Sequence, residues 1–192
     1  MFAQLDTKSV YSFMDSVVDL NSYVARAKEL GYQALGLMDR DNLYAAYHFA
    51  QLASRNGLRP LIGMEANLFY EGRKIPFRLL AKNNQGYKNL MKLATELSSG
   101  QREFTAFSDY LNAIALILPS EDWEPGMTLG SEVFIGVRPE DVGKEFDYPV
   151  VPLHTVRYFE NADRSTIQML HAISQNVSLS EASICPMNQL LF

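Results

Sequence analysis

Strand-like and helix-like segments alternate along almost the whole chain. Short apolar runs such as AIALIL (113–118) and VFIGV (133–137) are typical of strands that are covered on both faces. Between such runs, apolar residues recur at helical spacing and a glycine often follows, as in residues 20–30 before Gly31. This alternation predicts an α/β fold with a mainly parallel sheet. A barrel-like fold explains the six or seven strands, and an open doubly wound sheet explains them nearly as well.

The predicted elements follow one another without an internal linker or a low-complexity stretch, so we expect one domain over residues 1–192. The Glu71-Gly72 pair predicts a tight turn between two strands, and residues 119–132 are the clearest predicted loop. The predicted strands are 2–6, 34–38, 60–70, 75–81, 113–118, 133–137 and 149–153, and the predicted helices are 20–30, 42–55, 85–97 and 162–175.

The composition restricts the class of partner and the compartment. The chain has 17 basic and 22 acidic residues, and no Lys/Arg cluster is dense enough to follow a phosphate backbone. We therefore expect no direct DNA binding by this chain alone. Cys185 is the only cysteine, which excludes an internal disulfide and favours a reducing, cytoplasmic location. No apolar run approaches the roughly 20 residues of a membrane span, so we expect no membrane contact.

The last seven residues, PMNQLLF, end in three large apolar side chains with no polar tail. Natural chain ends are usually solvated. We therefore expect this chain to be an N-terminal fragment of a longer protein.

Polar side chains collect where the predicted strands end. In parallel α/β folds, functional groups cluster at the carboxyl ends of strands. The acids Asp6, Asp39 and Glu65 provide oxygen ligands of the kind that magnesium prefers. A transition-metal site is disfavoured because the set contains a single imidazole. The strand-end residues are Asp6, Lys8, Asp39, Arg40, Glu65, Ser120, His154, Thr155 and Arg157.

The charged corner Asp39-Arg40-Asp41 has two readings. It is a catalytic or metal site, or it is a helix start in which Asp41 is the N-cap and Arg40 pairs with a neighbouring acid. We favour the second reading, because Asp is a preferred N-cap residue.

The remaining reactive side chains lack companions in the sequence. His48 and His171 lie in predicted helices, and without a partner His or Cys at metal spacing we expect both to be packed or surface residues. Cys185 has no companion either. Glycine-rich nucleotide loops, the GxSxG elbow and CxxC pairs are absent from the sequence.

Five stretches of the chain resemble one family. They are LDTKSVYSFMDS (5–16), AKELGYQALGLMDRDNLYAAYHF (27–49), GLRPLIGMEANL (57–68), LLAKNNQGYKNLMKL (79–93) and PLHTVRYFENADRSTIQMLHAI (152–173). They are similar to LHxHSxYSxLDG, AKELGxxALAxTDHGNLxGAxxF, GIKPIIGxExYV, LLAKNxxGYxNLxKL and ATNDVHYxxxxDxxxHDVLxCI. These motifs are those of the N-terminal PHP (polymerase and histidinol phosphatase) domain of bacterial DNA polymerase III alpha subunits, of the DnaE, Gram-positive-like type. The resemblance implies a distorted (β/α) barrel of about seven mainly parallel strands.

The resemblance also implies that a metal centre has been lost. Metal-binding members use His, Asp, Glu and Cys at the strand ends to hold metals that activate water for phosphoester cleavage. Only Asp39 and Glu65 match that set, with Asp6 as a third vestigial position. We expect Lys8, Arg40 and Arg157 to form an ion-pair network with Asp6, Asp39 and Glu65 in place of the metals. The positions at which this chain departs from the family's ligands are Asp6, Lys8, Arg40, Pro76, Ser120, Thr155 and Arg157.

We expect a degenerate, metal-poor PHP domain that serves as a scaffold for the polymerase core of the same chain and is itself inactive. The resemblance implies that the full chain performs template-directed DNA synthesis with magnesium, contacts replisome proteins, and binds DNA through parts outside this fragment. Two alternatives remain open. One is a metal-dependent phosphoesterase or 3′–5′ proofreading exonuclease that uses Asp6, Asp39 and Glu65. The other is an interaction module that recruits a replisome protein.

Overall fold

The computed structural model describes residues 3–130, 132–141, 143–160 and 162–182. Cys185 and the PMNQLLF segment, on which two of the expectations above rest, lie outside the described residues. In chain order the helices and strands are β1 (Ala3–Gln4), β2 (Asp6–Thr7), α1 (Leu20–Glu29), β3 (Ala34–Leu37), α2 (Ala46–Arg55), β4 (Arg59–Tyr70), β5 (Arg73–Ala81), α3 (Asn84–Ser98), β6 (Ile114–Pro119), β7 (Val133–Val137), β8 (Val150–Pro152), β9 (Thr155–Val156) and α4 (Asp163–Gln175). Short 3₁₀ helices cover Phe104–Tyr110, Ser120–Asp122 and Pro139–Asp141.

The chain divides into two compact units. The first comprises Met1–Asp39, Tyr44–Leu61 and His154–Phe192, and the second comprises Arg40–Leu43 and Ile62–Leu153. The first unit is therefore assembled from three separate segments of the chain, whereas the second is almost continuous.

In the first unit, β1 pairs with β3 and β2 pairs with β9, both in parallel. Helix α1 begins at the N-cap Asp19, whose carboxylate accepts hydrogen bonds from the backbone N–H groups of Asn21 and Ser22. Hydrogen bonds to Ser22 lower the pKa of Asp19. The hydroxyl of the fully buried Tyr23 donates to the carbonyl oxygen of Gly36 at 2.9 Å, which ties α1 to β3.

In the second unit, β4 and β5 form an antiparallel hairpin closed by Glu71 and Gly72, both of which have positive φ. Strand β5 pairs antiparallel with β6, and β6, β7 and β8 continue in parallel. One face of the hairpin is buried against α3. Its core side chains include Met64, Ala66, Leu68, Ile75, Phe77, Leu79, Leu90, Leu93 and Leu97.

The predicted fold class is confirmed. Among the described residues, each of the seven predicted strands overlaps an observed strand (β1 and β3 to β8), β2 and β9 are two further short strands, and four of the six described strand pairs are parallel. Two expectations are wrong. The helix expected at 42–55 begins at Ala46, because the chain first forms a bend at Asp41 and a turn at residues 44–45. The single strand expected at 2–6 is two short strands, β1 and β2, which pair with β3 and β9 respectively. Among the described residues, no helix is both long enough and apolar enough to cross a membrane.

Candidate functional site

Asp6 lies beside a buried lysine. In β2, Asp6 and Thr7 pair with Thr155 and Val156 of β9, and the chain then leads into Lys8. The ammonium Nζ of Lys8 donates to Asp6 Oδ1 at 2.6 Å, and the hydroxyl of Thr155 donates to Asp6 Oδ2 at 2.7 Å. Both Asp6 and Lys8 are fully buried. Two of the strand-end residues named from the sequence are thus brought together as an ion pair.

Asp39 follows β3 and is held by the loop after β2. Its carboxylate accepts hydrogen bonds from the backbone N–H of Ser9, the hydroxyl of Ser9 and the hydroxyl of Ser12, each at 2.7 Å. The side chain is buried. Three neutral protein donors therefore already satisfy the Asp39 carboxylate.

Glu65, in the second unit, lies between two arginines. Arg40 Nε is 3.3 Å from Glu65 Oε1, and Arg78 Nη2 is 3.3 Å from Glu65 Oε2. Arg78 lies directly opposite Glu65 in the β4–β5 hairpin. It also donates to the carbonyl oxygen of Pro76 at 2.6 Å. Arg40 was predicted from the sequence as a strand-end cation, whereas Arg78 was not.

Arg157 pairs with Asp15, an acid that is not one of the strand-end residues named from the sequence. Its Nε is 3.1 Å from Asp15 Oδ1, and His171 Nε2 of α4 lies 3.2 Å from the same oxygen. The Asp15 side chain is buried. His171 is therefore an ion-pair or hydrogen-bond partner, which agrees with the expectation of a packed residue. Asp15 could have been identified from the sequence, because it lies within segment 5–16, one of the stretches that resemble the family.

The expectation that Asp41 caps α2 is wrong. The residue at the N-cap is Ala45, which has no side-chain cap hydrogen bond. Asp41 instead has a left-handed backbone (φ 55°), a conformation that Asp adopts more readily than most residues. Its carboxylate accepts from Arg102 Nη1 at 2.7 Å and from the backbone N–H of Asn67 at 3.2 Å.

Ser120 also has a carboxylate partner. Its hydroxyl donates to Asp141 Oδ2 at 2.6 Å, and Lys144 Nζ donates to Asp141 Oδ1 at 2.7 Å. These hydrogen bonds hold the pKa of Asp141 well below its usual range.

In the described structure, the other residues named from the sequence are not part of a catalytic or metal-binding group. Pro76 lies in β5 opposite Asn67. The backbone carbonyl of His154 accepts a hydrogen bond from Gln4 Nε2 at 2.7 Å. His48 is exposed on α2, as expected for a surface residue. Among the described residues, no group of three or more His, Cys, Asp or Glu side chains is arranged to hold a metal ion.

Comparison with known proteins identifies close relatives. The chain is 45% identical over 193 aligned residues to DNA polymerase III subunit alpha of Streptococcus pyogenes serotype M1, an alignment that covers 100% of this chain and 19% of that protein. It is 33% identical over 126 residues to DNA polymerase III subunit alpha of Bacillus subtilis, covering 62% of this chain and 11% of that protein. The chain thus spans about a fifth of the length of the Streptococcus relative.

Among solved structures, a candidate metal-dependent phosphoesterase from Bifidobacterium adolescentis matches 91% of this chain and 84% of its own, with a TM-score of 0.48 and 10% sequence identity. The model of the PHP domain family matches residues 4–124, which is more than half of the chain. The match includes the segments that carry Asp6, Asp39 and Glu65. This chain belongs to the PHP domain family.

Proposed function

We propose that this chain is the PHP domain of a replicative DNA polymerase III alpha subunit, in which ion pairs have replaced the metal centre and the domain acts as a scaffold for the polymerase core. The similarity to alpha subunits over the full length of the chain supports this assignment. In this proposal the whole protein synthesises DNA on a template in the cytoplasm, with magnesium held by residues outside this chain and with replisome proteins as further partners.

The observation that carries the proposal is the buried contact between Lys8 and Asp6. A lysine ammonium at 2.6 Å already supplies the positive charge that a divalent cation would bring to this carboxylate. A second cation beside it would be repelled, and at a fully buried position little water screens that repulsion. Lys8 also has no lone pair to offer a metal while it is protonated.

The other two acidic positions have protein partners as well. Asp39 accepts three hydrogen bonds from Ser9 and Ser12, and Glu65 faces two arginines. Arginine is always protonated and cannot act as a ligand. Family metal centres need His, Asp, Glu or Cys side chains that point at one ion. The donor set present here does not fit such a centre, and we derive no hydrolytic step from it.

Titration calorimetry with Mn²⁺ and with Zn²⁺ tests the proposal on the purified 192-residue chain. We expect no saturable binding to the parent. A double variant, Asp6→His with Lys8→His, removes the buried cation and introduces two imidazoles within the first unit, so it should gain affinity for either metal. Circular dichroism shows whether that variant is folded. Metal binding by the folded variant then serves as the control for the sensitivity of the calorimetry.

Two results would contradict the proposal. The first is stoichiometric metal binding by the parent that disappears in Glu65→Ala. The second is cleavage of a 3′-mismatched primer by the parent that disappears in the same variant. Either result would favour the metal-dependent phosphoesterase or exonuclease.

A further inference from the structure

A polar cavity lies within the second unit, on the face of the β4–β5 hairpin that is opposite the apolar core. Its volume is about 480 Å³, within the usual range for small-ligand sites of about 300–1,000 Å³. No residue of the ion pair between Lys8 and Asp6 contributes to it. The cavity is lined by Arg40, Asp41, Asn67, Phe69, Lys74 and Arg102.

The hairpin register explains how these side chains come together. Alternate residues of β4, Met64, Ala66 and Leu68, are buried in the apolar core. The intervening residues Glu65, Asn67 and Phe69 therefore face the other way, because side chains alternate along a strand. Opposite them in β5 lie Arg78, Pro76 and Lys74. The result is a stripe that runs from the buried Glu65–Arg78 pair out to Phe69 and Lys74 at the exposed end.

The wall of the cavity has a positive charge balance. It contains three cations (Arg40, Lys74 and Arg102) and one carboxylate (Asp41). The Glu65–Arg78 pair behind this wall contributes one negative and one positive charge, so it does not change the net charge of the wall. The chain as a whole carries a formal charge of −5, so this concentration of cations opposes the overall trend. Clefts with one sign of charge attract ligands of the opposite sign.

The single carboxylate of the wall orients a cation. Asp41 accepts from Arg102 Nη1 at 2.7 Å and from the backbone N–H of Asn67 at 3.2 Å. Arg102 Nη1 also reaches the carbonyl oxygen of Asn67 at 3.4 Å. The guanidinium is thereby held on the cavity wall, with about a third of the side chain still exposed. Asp41 thus serves as a support that fixes Arg102 in position.

Lys74 differs from the arginines of this wall. It is exposed at the start of β5, and among the described residues it forms no ion pair like those of Arg40 and Arg102. Next to it in the register, Phe69 is 38% exposed and lines the same cavity. The acids Glu71 and Glu103 line a separate cavity of about 980 Å³ that shares Phe69.

We propose that this cavity is a metal-independent oxyanion site that takes a phosphate group. Lys74 and Arg102 donate charge-assisted hydrogen bonds to its oxygens, and Arg40 adds positive charge at the inner end. Phe69 offers a surface on which a nucleobase attached to the phosphate can stack. The phosphate belongs to a free nucleotide or to single-stranded nucleic acid, which share this chemistry. This inference does not depend on the scaffold role proposed above.

The test is a binding titration of the purified 192-residue chain in buffer that contains EDTA, with pyrophosphate as the first probe. The variants are Lys74→Glu, the milder Lys74→Gln, and Lys74→Arg, which keeps the charge. Lys92→Glu is the matched control, because Lys92 is an exposed lysine of the same unit that does not line the cavity. Circular dichroism confirms that each variant is folded.

We expect pyrophosphate to bind the parent, and we expect Lys74→Glu to weaken binding by about tenfold or more, the size of one lost charge-assisted hydrogen bond. Lys74→Gln should show a smaller loss, while Lys74→Arg and Lys92→Glu should bind like the parent. A single-stranded oligonucleotide that competes with pyrophosphate, with the same dependence on Lys74, identifies nucleic acid as the source. Competition by a nucleoside triphosphate alone identifies a free nucleotide.

The proposal is overturned if the parent does not bind pyrophosphate in EDTA, or if Lys74→Glu binds as tightly as the parent. A loss in Lys92→Glu equal to that in Lys74→Glu also overturns it, because it would indicate general electrostatic attraction. Binding that appears only when Mn²⁺ is added overturns this inference and also contradicts the scaffold proposal, whereas the other three results overturn this inference alone.

Discussion

The contact between Lys8 and Asp6 joins two fully buried, oppositely charged side chains at 2.6 Å. Removal of two ions from water has a large desolvation cost, which their mutual attraction offsets only when the geometry is good. Such a pair therefore adds little net stability, yet the loss of one partner leaves the other charge without its counterion. This asymmetry makes the pair a sensitive point for mutation.

We expect Lys8→Ala to lower the free energy of unfolding by about 3 kcal/mol or more, because the buried Asp6 carboxylate loses its cation. The double variant Lys8→Met with Asp6→Asn removes both charges and should lie much closer to the parent. Urea denaturation followed by circular dichroism measures both differences.

The exposed Arg26–Glu29 pair at 3.3 Å provides the matched control. Arg26→Ala should change the free energy of unfolding by less than about 1 kcal/mol, because water screens an exposed pair. Equal effects of Lys8→Ala and Arg26→Ala would argue against a buried ion pair.

Asp141 supplies a pH-dependent contribution to stability. Hydrogen bonds from Lys144 and Ser120 lower its pKa in the folded protein. A group with a lowered folded pKa stabilises the fold fully above its unfolded pKa, near 3.8, and loses that contribution as the pH falls through the folded pKa. We expect Asp141→Asn to be less stable than the parent at neutral pH, with the difference shrinking below about pH 4. Melting temperatures measured across this range check the sign, and a difference that grows on acidification would contradict it.

At the scale of single residues, the positions of the charged side chains were predicted better from the sequence than their contacts were. Lys8 and Arg40 were identified because cations stand where the family has ligands. Asp41 was assigned to a helix cap on its residue type, since the sequence does not show that the backbone there is left-handed. Arg157 was expected near the vestigial acids, but the described contact is with Asp15. Which acid a cation contacts depends on the geometry of the loops, and no local sequence pattern predicts that geometry.

Among the elements, β3 passes very close to the link between β1 and β2. A Cβ atom built at Gly36 would overlap the backbone carbonyl group of Leu5. The absence of a side chain at this position lets the two backbones approach. Backbone atoms cannot rotate away as a side chain can, so a larger residue must push the strands apart.

We expect Gly36→Ala to lower the free energy of unfolding by about 2–3 kcal/mol through overpacking. Gly136→Ala in β7 is the matched comparison, because a Cβ there meets only side-chain atoms of Leu153, whose Cδ2 can rotate away and whose Cβ, at 2.8 Å, needs a small shift, and it meets no backbone atom as at Gly36. Its cost should be smaller, about 1 kcal/mol. Chemical denaturation of both variants checks the order, and a larger loss for Gly136→Ala would refute the close-approach argument.

The β4–β5 hairpin shows how far element-level reasoning extends. The turn at Glu71-Gly72 was predicted, and counting outward from it places Arg78 opposite Glu65, as the structure shows. The pair could therefore have been derived from the sequence. The 3₁₀ helices at Phe104–Tyr110 and Pro139–Asp141 could not, because such short segments have no clear apolar period.

For the molecule as a whole, alternation of apolar runs and helical periodicity was enough to predict the α/β class, because burial on both faces leaves a clear pattern in the residues. The choice between a barrel-like fold and an open sheet required the family resemblance. The division into two units was not predicted, since no linker composition marks it. Contacts such as Asp15 with His171, 156 positions apart, depend on how the three segments of the first unit assemble.

That assembly has a consequence for biosynthesis. A ribosome delivers residues in order, and the partners of Asp6 and Asp15 on β9 and α4 emerge roughly 150 residues after them. Asp6 can meet Lys8 early, but the hydrogen bonds of Asp6 and Asp15 to β9 and α4 form only after those elements emerge, whereas the second unit is built from residues 40–43 and 62–153. We expect the second unit to fold first on the nascent polypeptide. The first unit should complete its folding only after β9 and α4 have emerged from the ribosome.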